Sequence, residues 1–163
     1  MSIQPLHCVA QQYAWGRLGN SSTVARMKES QALEDDDDTH TDNASFEIEE
    51  STPYAELWLG THGNGMSQVT VPGGKKQSLL EYVQGNPSVH CGSTGSTDLS
   101  FLLKVLSVRK VLSIQAHPDK ALAERLHATR PTVYKDPNHK PEMAICLSEK
   151  VRAMCGFRTL SEI

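Results

Sequence analysis

The nine residues LSIQAHPDK, Leu112 to Lys120, constrain this chain more than any other stretch. In an extended backbone, neighbouring side chains point to opposite faces and alternate ones share a face. Leu112, Ile114 and Ala116 are therefore expected to face a core, with Ser113, Gln115 and His117 lining the other side, repeats of roughly 7 Å apart along the strand. A hydroxyl, a carboxamide and an imidazole on one face make a candidate polar or metal-binding site. Pro118 cannot donate to a ladder, so the strand should stop there and leave His117 at a rim.

A second segment supplies the opposite charge types. In NHKPEMAICL, Lys140 and Glu142 are two apart and would share one face of an extended run, opposite Met143, Ile145 and Leu147. Glu142 can then join Gln115 and His117 in a nitrogen and oxygen donor set of the kind zinc or a similar first-row metal accepts. Three ligands do not close a tetrahedral zinc site. His139, beside Lys140, could serve in place of His117, and spacing does not choose between them. His7, His40, His62, His90 and His127 show no partner pattern and read as structural or exposed.

The 163 residues suffice for one domain with a real core. No apolar run approaches the roughly 20 residues of a membrane helix. The start, MSIQPLHCVAQQY, has neither a basic head nor an apolar block, so the cytosol is the expected compartment. Cys8, Cys91, Cys146 and Cys155 form no CxxC pair and read as reduced thiols. The net charge of -3 is unevenly spread: between Lys28 and Thr52 ten acids face one base, which leaves the remainder at +6. Those bases are scattered without aromatic interleaving, which argues against a nucleic-acid surface.

An acidic low-complexity loop is expected over residues 28–45, where KESQALEDDDDTHTDN combines low hydrophobicity with like charge. Four consecutive Asp lack the alternating oxygens and the Gly of a calcium loop, so a solvated linker is the preferred reading. Before it, YAWGRLGNSSTVA reads as a turn-rich entry. After it, FEIEESTPYAELWLGTH holds a Pro turn and an apolar segment, SQVTV alternates like a strand, and SLLEYVQGNP reads as a short helix closed by Gly and Pro. FLLKVLSVRKVLSIQAH suggests a hairpin about Arg109 and Lys110, DKALAERLHATR a helix capped by Asp119, and PEMAICLSE a further strand. Many short strands with few helices point to a mainly β barrel or double-sheet jelly roll.

Taken together, YAWGRLGNSS, PYAELWLGTH, FLLKVLSVRKVLSIQAHPDKALAERLH, NHKPEMAICL and CGFR closely resemble type I phosphomannose isomerases, zinc enzymes of the cupin fold. The resemblance implies a mainly β, cupin-like jelly roll with a few short helices, residues 1–163 forming the N-terminal part of the catalytic domain. It implies one zinc ion, with Gln115, His117 and Glu142 as three of its ligands. Lys140 becomes a catalytic position, Ser113 and Lys140 contacts to the sugar phosphate, and Trp15, Glu56 and Lys104 pocket or substrate-binding positions. The implied reaction interconverts mannose 6-phosphate and fructose 6-phosphate. The implied partner is that sugar phosphate alone, without nucleic acid or membrane, and the complete enzyme is expected to be a monomer.

The family's fourth zinc ligand, a His, and an Arg used in catalysis lie beyond the CGFR motif. A second cupin half and a helical insertion are likewise expected to be missing, so the 163 residues alone should have little or no activity. The competing expectation is a module that binds metal or sugar phosphate without catalysis. Gly63 stands after GTH, where the family more often has Pro, which is expected to change only a loop.

Overall fold

The computed structural model describes residues 3–36, 46–153, 156 and 158–163. It divides into two compact units, residues 1–112 and 113–163, each with its own internal contacts. Among the described residues, eight short strands stand against four α-helices, the mainly β class expected. No helix of the described residues is long and apolar enough to cross a membrane.

Every strand among the described residues lies in the first unit. β1 (Leu6–His7), β6 (Gln68–Thr70) and β7 (Lys76–Ser78) form one antiparallel sheet, with β6 in the middle. β2 (Val9–Gln11), β5 (Glu56–Leu59) and β8 (Leu103–Leu106) form a second, with β5 central, and β3 (Arg17–Leu18) pairs with β4 (Pro53–Tyr54). Strand alternation gives β5 two characters. Leu57 points into a core with Cys8, Val24, Ala25 and Tyr54, against which Ala10, Leu59 and Val105 pack, while Glu56 and Trp58 share the other face.

The expected loop over 28–45 is corrected in its first part. Helix α1 (Thr23–Asp36) runs through residues 28–36, and residues 37–45 lie outside those described. The helix begins where Ser22, fully buried, accepts a hydrogen bond from the Ala25 amide and donates one to the Tyr54 carbonyl. Val24 and Ala25 are buried completely. Further along, the Gln31 carboxamide accepts from the Cys8 amide at 2.9 Å and donates to the Leu6 carbonyl, bridging the gap between β1 and β2. Polar composition over this segment predicts solvation, but a helix needs only one anchored stripe.

Helix α2 (Leu79–Gly85) meets its expectation through a capping box between Ser78 and Glu81, and Pro87 opens a further turn, α3 (Pro87–His90). The hairpin expected over residues 101–117 does not form. Its first run becomes β8, but beyond the isolated bridge between Gly16 and Val108 the amides of Arg109 and Lys110 both turn to the Trp15 carbonyl, at 2.9 and 3.2 Å.

In the second unit, α4 (Lys120–Thr129) has the expected cap: the Asp119 carboxylate accepts from the Leu122 amide at 2.8 Å. Leu122 and Leu126 are half-buried on either side of buried Ala123, which is the one buried position among the unit's described residues. The strands expected at 112–117 and 141–149 are absent, and Ile114, Met143, Ile145 and Leu147 are all exposed. Alternation assigns side chains to faces but does not provide a ladder partner, and an extended run becomes a strand only where its amides find one. Cys8, Cys91 and Cys146 are free thiols, as read, and Cys155 lies outside the described residues.

Candidate metal and substrate site

The candidate residues fall into two groups, one in each unit. In the second unit, Gln115 and His117 stand two residues apart in the irregular stretch before Pro118, and Glu142 follows Pro141 in another irregular stretch. Without a ladder, the chain still brings His117 Nε2 to 3.5 Å from Glu142 Oε1. That separation can be compared with the demand of a metal. Two ligand atoms each about 2.1 Å from one tetrahedral zinc lie about 3.4 Å apart, so the imidazole nitrogen and the carboxylate oxygen fit a shared ion without rearrangement. Side-chain exposures of 29% for His117 and 71% for Glu142 leave the pair wet, and a contact of that kind stabilises a fold by about 0–1 kcal/mol at most.

The other members of this group are placed differently from a shared strand face. Gln115 donates its amide to Ser113 Oγ at 3.5 Å, and Lys140 directs its ammonium to Asp136, 3.7 Å away and four residues earlier. Among the described residues, no three His, Cys, Asp or Glu side chains cluster as a metal cage. Of the three expected ligands, His117 and Glu142 are the two that the structure brings together, and Gln115 contacts Ser113. Of the remaining histidines, His7 is buried against Thr70 Oγ1 at 2.6 Å, His62 lies edge-on to Trp58, His90 packs on Tyr82, and His127 Nδ1 meets the Tyr134 carbonyl at 2.7 Å. His40 falls outside the described residues.

The first unit holds Trp15, Glu56 and Lys104, and brings the last two together. Register places Lys104 of β8 directly opposite Trp58 of β5, with Glu56 two residues before Trp58 on the same face. The Glu56 carboxylate is nearly buried, accepts from the Trp58 indole N–H at 2.5 Å, and lies 3.0 Å from the Lys104 ammonium. That ammonium also stands 4.6 Å above the Trp58 ring. Trp15 stacks on Tyr13 with ring centroids 6.0 Å apart, and its carbonyl anchors the turn at Arg109 and Lys110. Burial pushes the Tyr13 hydroxyl above its ordinary value, and the negative charge of Glu56 adds to the effect. Trp58 and Tyr13 escaped the reading of the sequence. For Trp58 the signal was present: in ELWL it shares a strand face with Glu56.

Comparison with known proteins identifies the family. Residues 3–160 match the model of the phosphomannose isomerase type I catalytic domain. Mannose-6-phosphate isomerase 2 of Arabidopsis thaliana is 43% identical over 171 residues, which take in 99% of this chain and 36% of the relative. The bovine (Bos taurus) mannose-6-phosphate isomerase is 44% identical over 165 residues, again 99% of this chain and 36% of the relative. A crystal structure of a mannose 6-phosphate isomerase bound with zinc and yttrium superposes with a TM-score of 0.57 at 28% identity, over 85% of this chain and 33% of that one. The chain thus spans about a third of the length of the relatives it matches. With a family model covering nearly all of it and relatives this similar along its whole span, the chain belongs to the type I phosphomannose isomerase family.

Proposed function

We propose that this chain supplies zinc ligands and substrate contacts for the interconversion of mannose 6-phosphate and fructose 6-phosphate, in a cupin-type catalytic domain. The observation that carries the reading is the approach of His117 Nε2 to Glu142 Oε1 at 3.5 Å, between residues 25 positions apart in the sequence. His117, Glu142 and Gln115 would hold the ion. Bound there, zinc would act as a Lewis acid on the sugar oxygens while a proton moves between the first two carbons.

The chain's own residues serve orientation and charge. Lys140 is half-exposed, and its contact with Asp136 at 3.7 Å is loose enough for the ammonium to turn to a phosphate or to an oxygen that gains negative charge. Ser113 has a hydroxyl that can donate to phosphate oxygens. In the first unit, Glu56 and Lys104 offer a carboxylate and an ammonium already held against each other, suited to sugar hydroxyls and their developing charge. Trp15, stacked on Tyr13, offers a further aromatic ring in the same unit. The relatives that carry the activity in their names are about three times as long, so turnover is proposed for the family's complete domain and weak or absent turnover for these 163 residues.

Zinc uptake tests the reading directly. The purified chain is dialysed against zinc, then against metal-free buffer, and its metal content is measured for the wild type and for His117→Ala, Glu142→Ala, Gln115→Ala and His139→Ala. The first three are expected to lose zinc and the fourth to keep it. Unchanged zinc in the first three would reject the site.

A further inference from the structure

Trp58 has no role in the site described so far, yet it touches both charged positions of the first unit. Its indole N–H reaches Glu56 Oε2 at 2.5 Å, the same oxygen that faces Lys104 Nζ at 3.0 Å. Its ring face lies 4.6 Å beneath the Lys104 ammonium. The indole is itself fixed on its remaining sides. A Cβ on Gly65 would come within 2.6 Å of Trp58 Cε3, so the backbone there approaches as closely as only glycine allows, and the His62 ring stands edge-on at 5.0 Å. The Trp58 side chain is buried, with 6% of its surface exposed, while the Lys104 side chain keeps a third of its own in solvent.

From this arrangement we propose that Trp58 is a positioning residue: it commits Glu56 Oε2 to the indole and the ammonium, leaves Oε1 as the oxygen presented to a ligand hydroxyl, and cradles Lys104 at the sheet face. The physical basis is that a carboxylate and a lysine joined only to each other across two strands would sample several rotamers. A rigid third group that donates to one and attracts the other selects a single arrangement. The inference rests on the reading of Glu56 and Lys104 as substrate-binding positions. Its test follows lysine reactivity and an indole proton, so its failure is distinct from a failure of zinc uptake at His117 and Glu142.

The experiment uses the full 163-residue chain. Lys104 is acylated with a water-soluble ester under limiting conditions, and its rate is read by peptide mass spectrometry against the exposed Lys135 of the same sample. Trp58→Phe removes the N–H and keeps a ring, and Trp58→Leu removes both. A rise in the Lys104 rate of about threefold to tenfold is expected for Trp58→Leu, the Boltzmann weight of a lost cation–π contact, and a smaller rise for Trp58→Phe. An unchanged rate in both variants, with Cys8 still shielded from thiol reagents, overturns the proposal. Should the variants unfold, the wild type and Glu56→Gln decide through nuclear magnetic resonance. The Trp58 indole proton, assigned with Trp15→Phe, is expected downfield in the wild type and to move upfield when the carboxylate becomes an amide. A signal that does not respond to Glu56→Gln overturns the proposal as well.

Discussion

Replacing Gln31 by Ala probes the contact that turns a polar, acidic segment into an ordered helix. The Gln31 carboxamide accepts from the Cys8 amide at 2.9 Å, donates to the Leu6 carbonyl, and receives the Lys28 ammonium at 3.1 Å. Two of these are bonds to backbone, at Leu6 in β1 and at Cys8 between β1 and β2, each contributing about 1 kcal/mol net. Their loss also leaves the Cys8 amide, on a residue only 6% exposed, without its partner, whereas water can reach the half-exposed end of Gln31. The expected cost is about 2 kcal/mol, which for a unit of this size lowers the melting temperature by about 10 °C. Gln31→Glu keeps an acceptor for the Cys8 amide and for Lys28 but cannot donate to Leu6, so it should fall between, near 1 kcal/mol. The assay is thermal unfolding by circular dichroism together with amide hydrogen exchange. The Cys8 amide should lose protection in Gln31→Ala and retain much of it in Gln31→Glu. If Gln31→Ala melts with the wild type and Cys8 stays protected, α1 is held by Val24 and Ala25 alone and the reasoning fails.

Gly16→Ala should destabilise the first unit by about 1–3 kcal/mol, because the new Cβ would lie 2.7 Å from Ala55 N and Tyr54 C, both of them backbone atoms, and a urea midpoint will register it. Asp119→Ala removes the α4 cap and should cost about 1 kcal/mol, seen as faster exchange of the Leu122 amide. The Cys8 thiol is pushed above its ordinary value by burial, with Gln31 and Lys28 opposing that shift. The folded chain therefore holds this proton more tightly than the unfolded one, so the thiol's contribution is fully present below its ordinary pKa and is lost as pH rises through the raised one. The gap in urea midpoint between wild type and Cys8→Ala should shrink as pH rises past the ordinary thiol pKa, and a constant gap would contradict the assignment.

Several features of this chain were readable before any coordinates. The Asp119 cap and the Leu122 to Leu126 spacing specified α4, the Gly and Pro closing SLLEYVQGNP specified α2, and SQVTV specified β6, since each depends on neighbours a few residues apart. Motif resemblance likewise carried the family. Local pattern failed at 28–36, where composition suggested a solvated loop and a bridge from Gln31 to residues more than twenty positions earlier made a helix. It failed again at 112–117 and 141–149, where no ladder partner formed and the apolar residues expected to face a core, Leu112, Ile114, Met143, Ile145 and Leu147 among them, are exposed.

The candidate site divides along the same line. Ser113, Gln115, His117, Lys140 and Glu142 could be named from residue types, and the sequence left His117 and His139 as equal choices from spacing. The chain path then set His117 at 3.5 Å from Glu142 and directed Lys140 toward Asp136. Trp58, hidden in the sequence among ordinary strand residues, gained its place from the register that sets it opposite Lys104. Residue chemistry and short-range spacing are properties of the chain itself and can be read from it. Which distant groups meet depends on the burial and pairing of the whole unit, and only the folded backbone decides that.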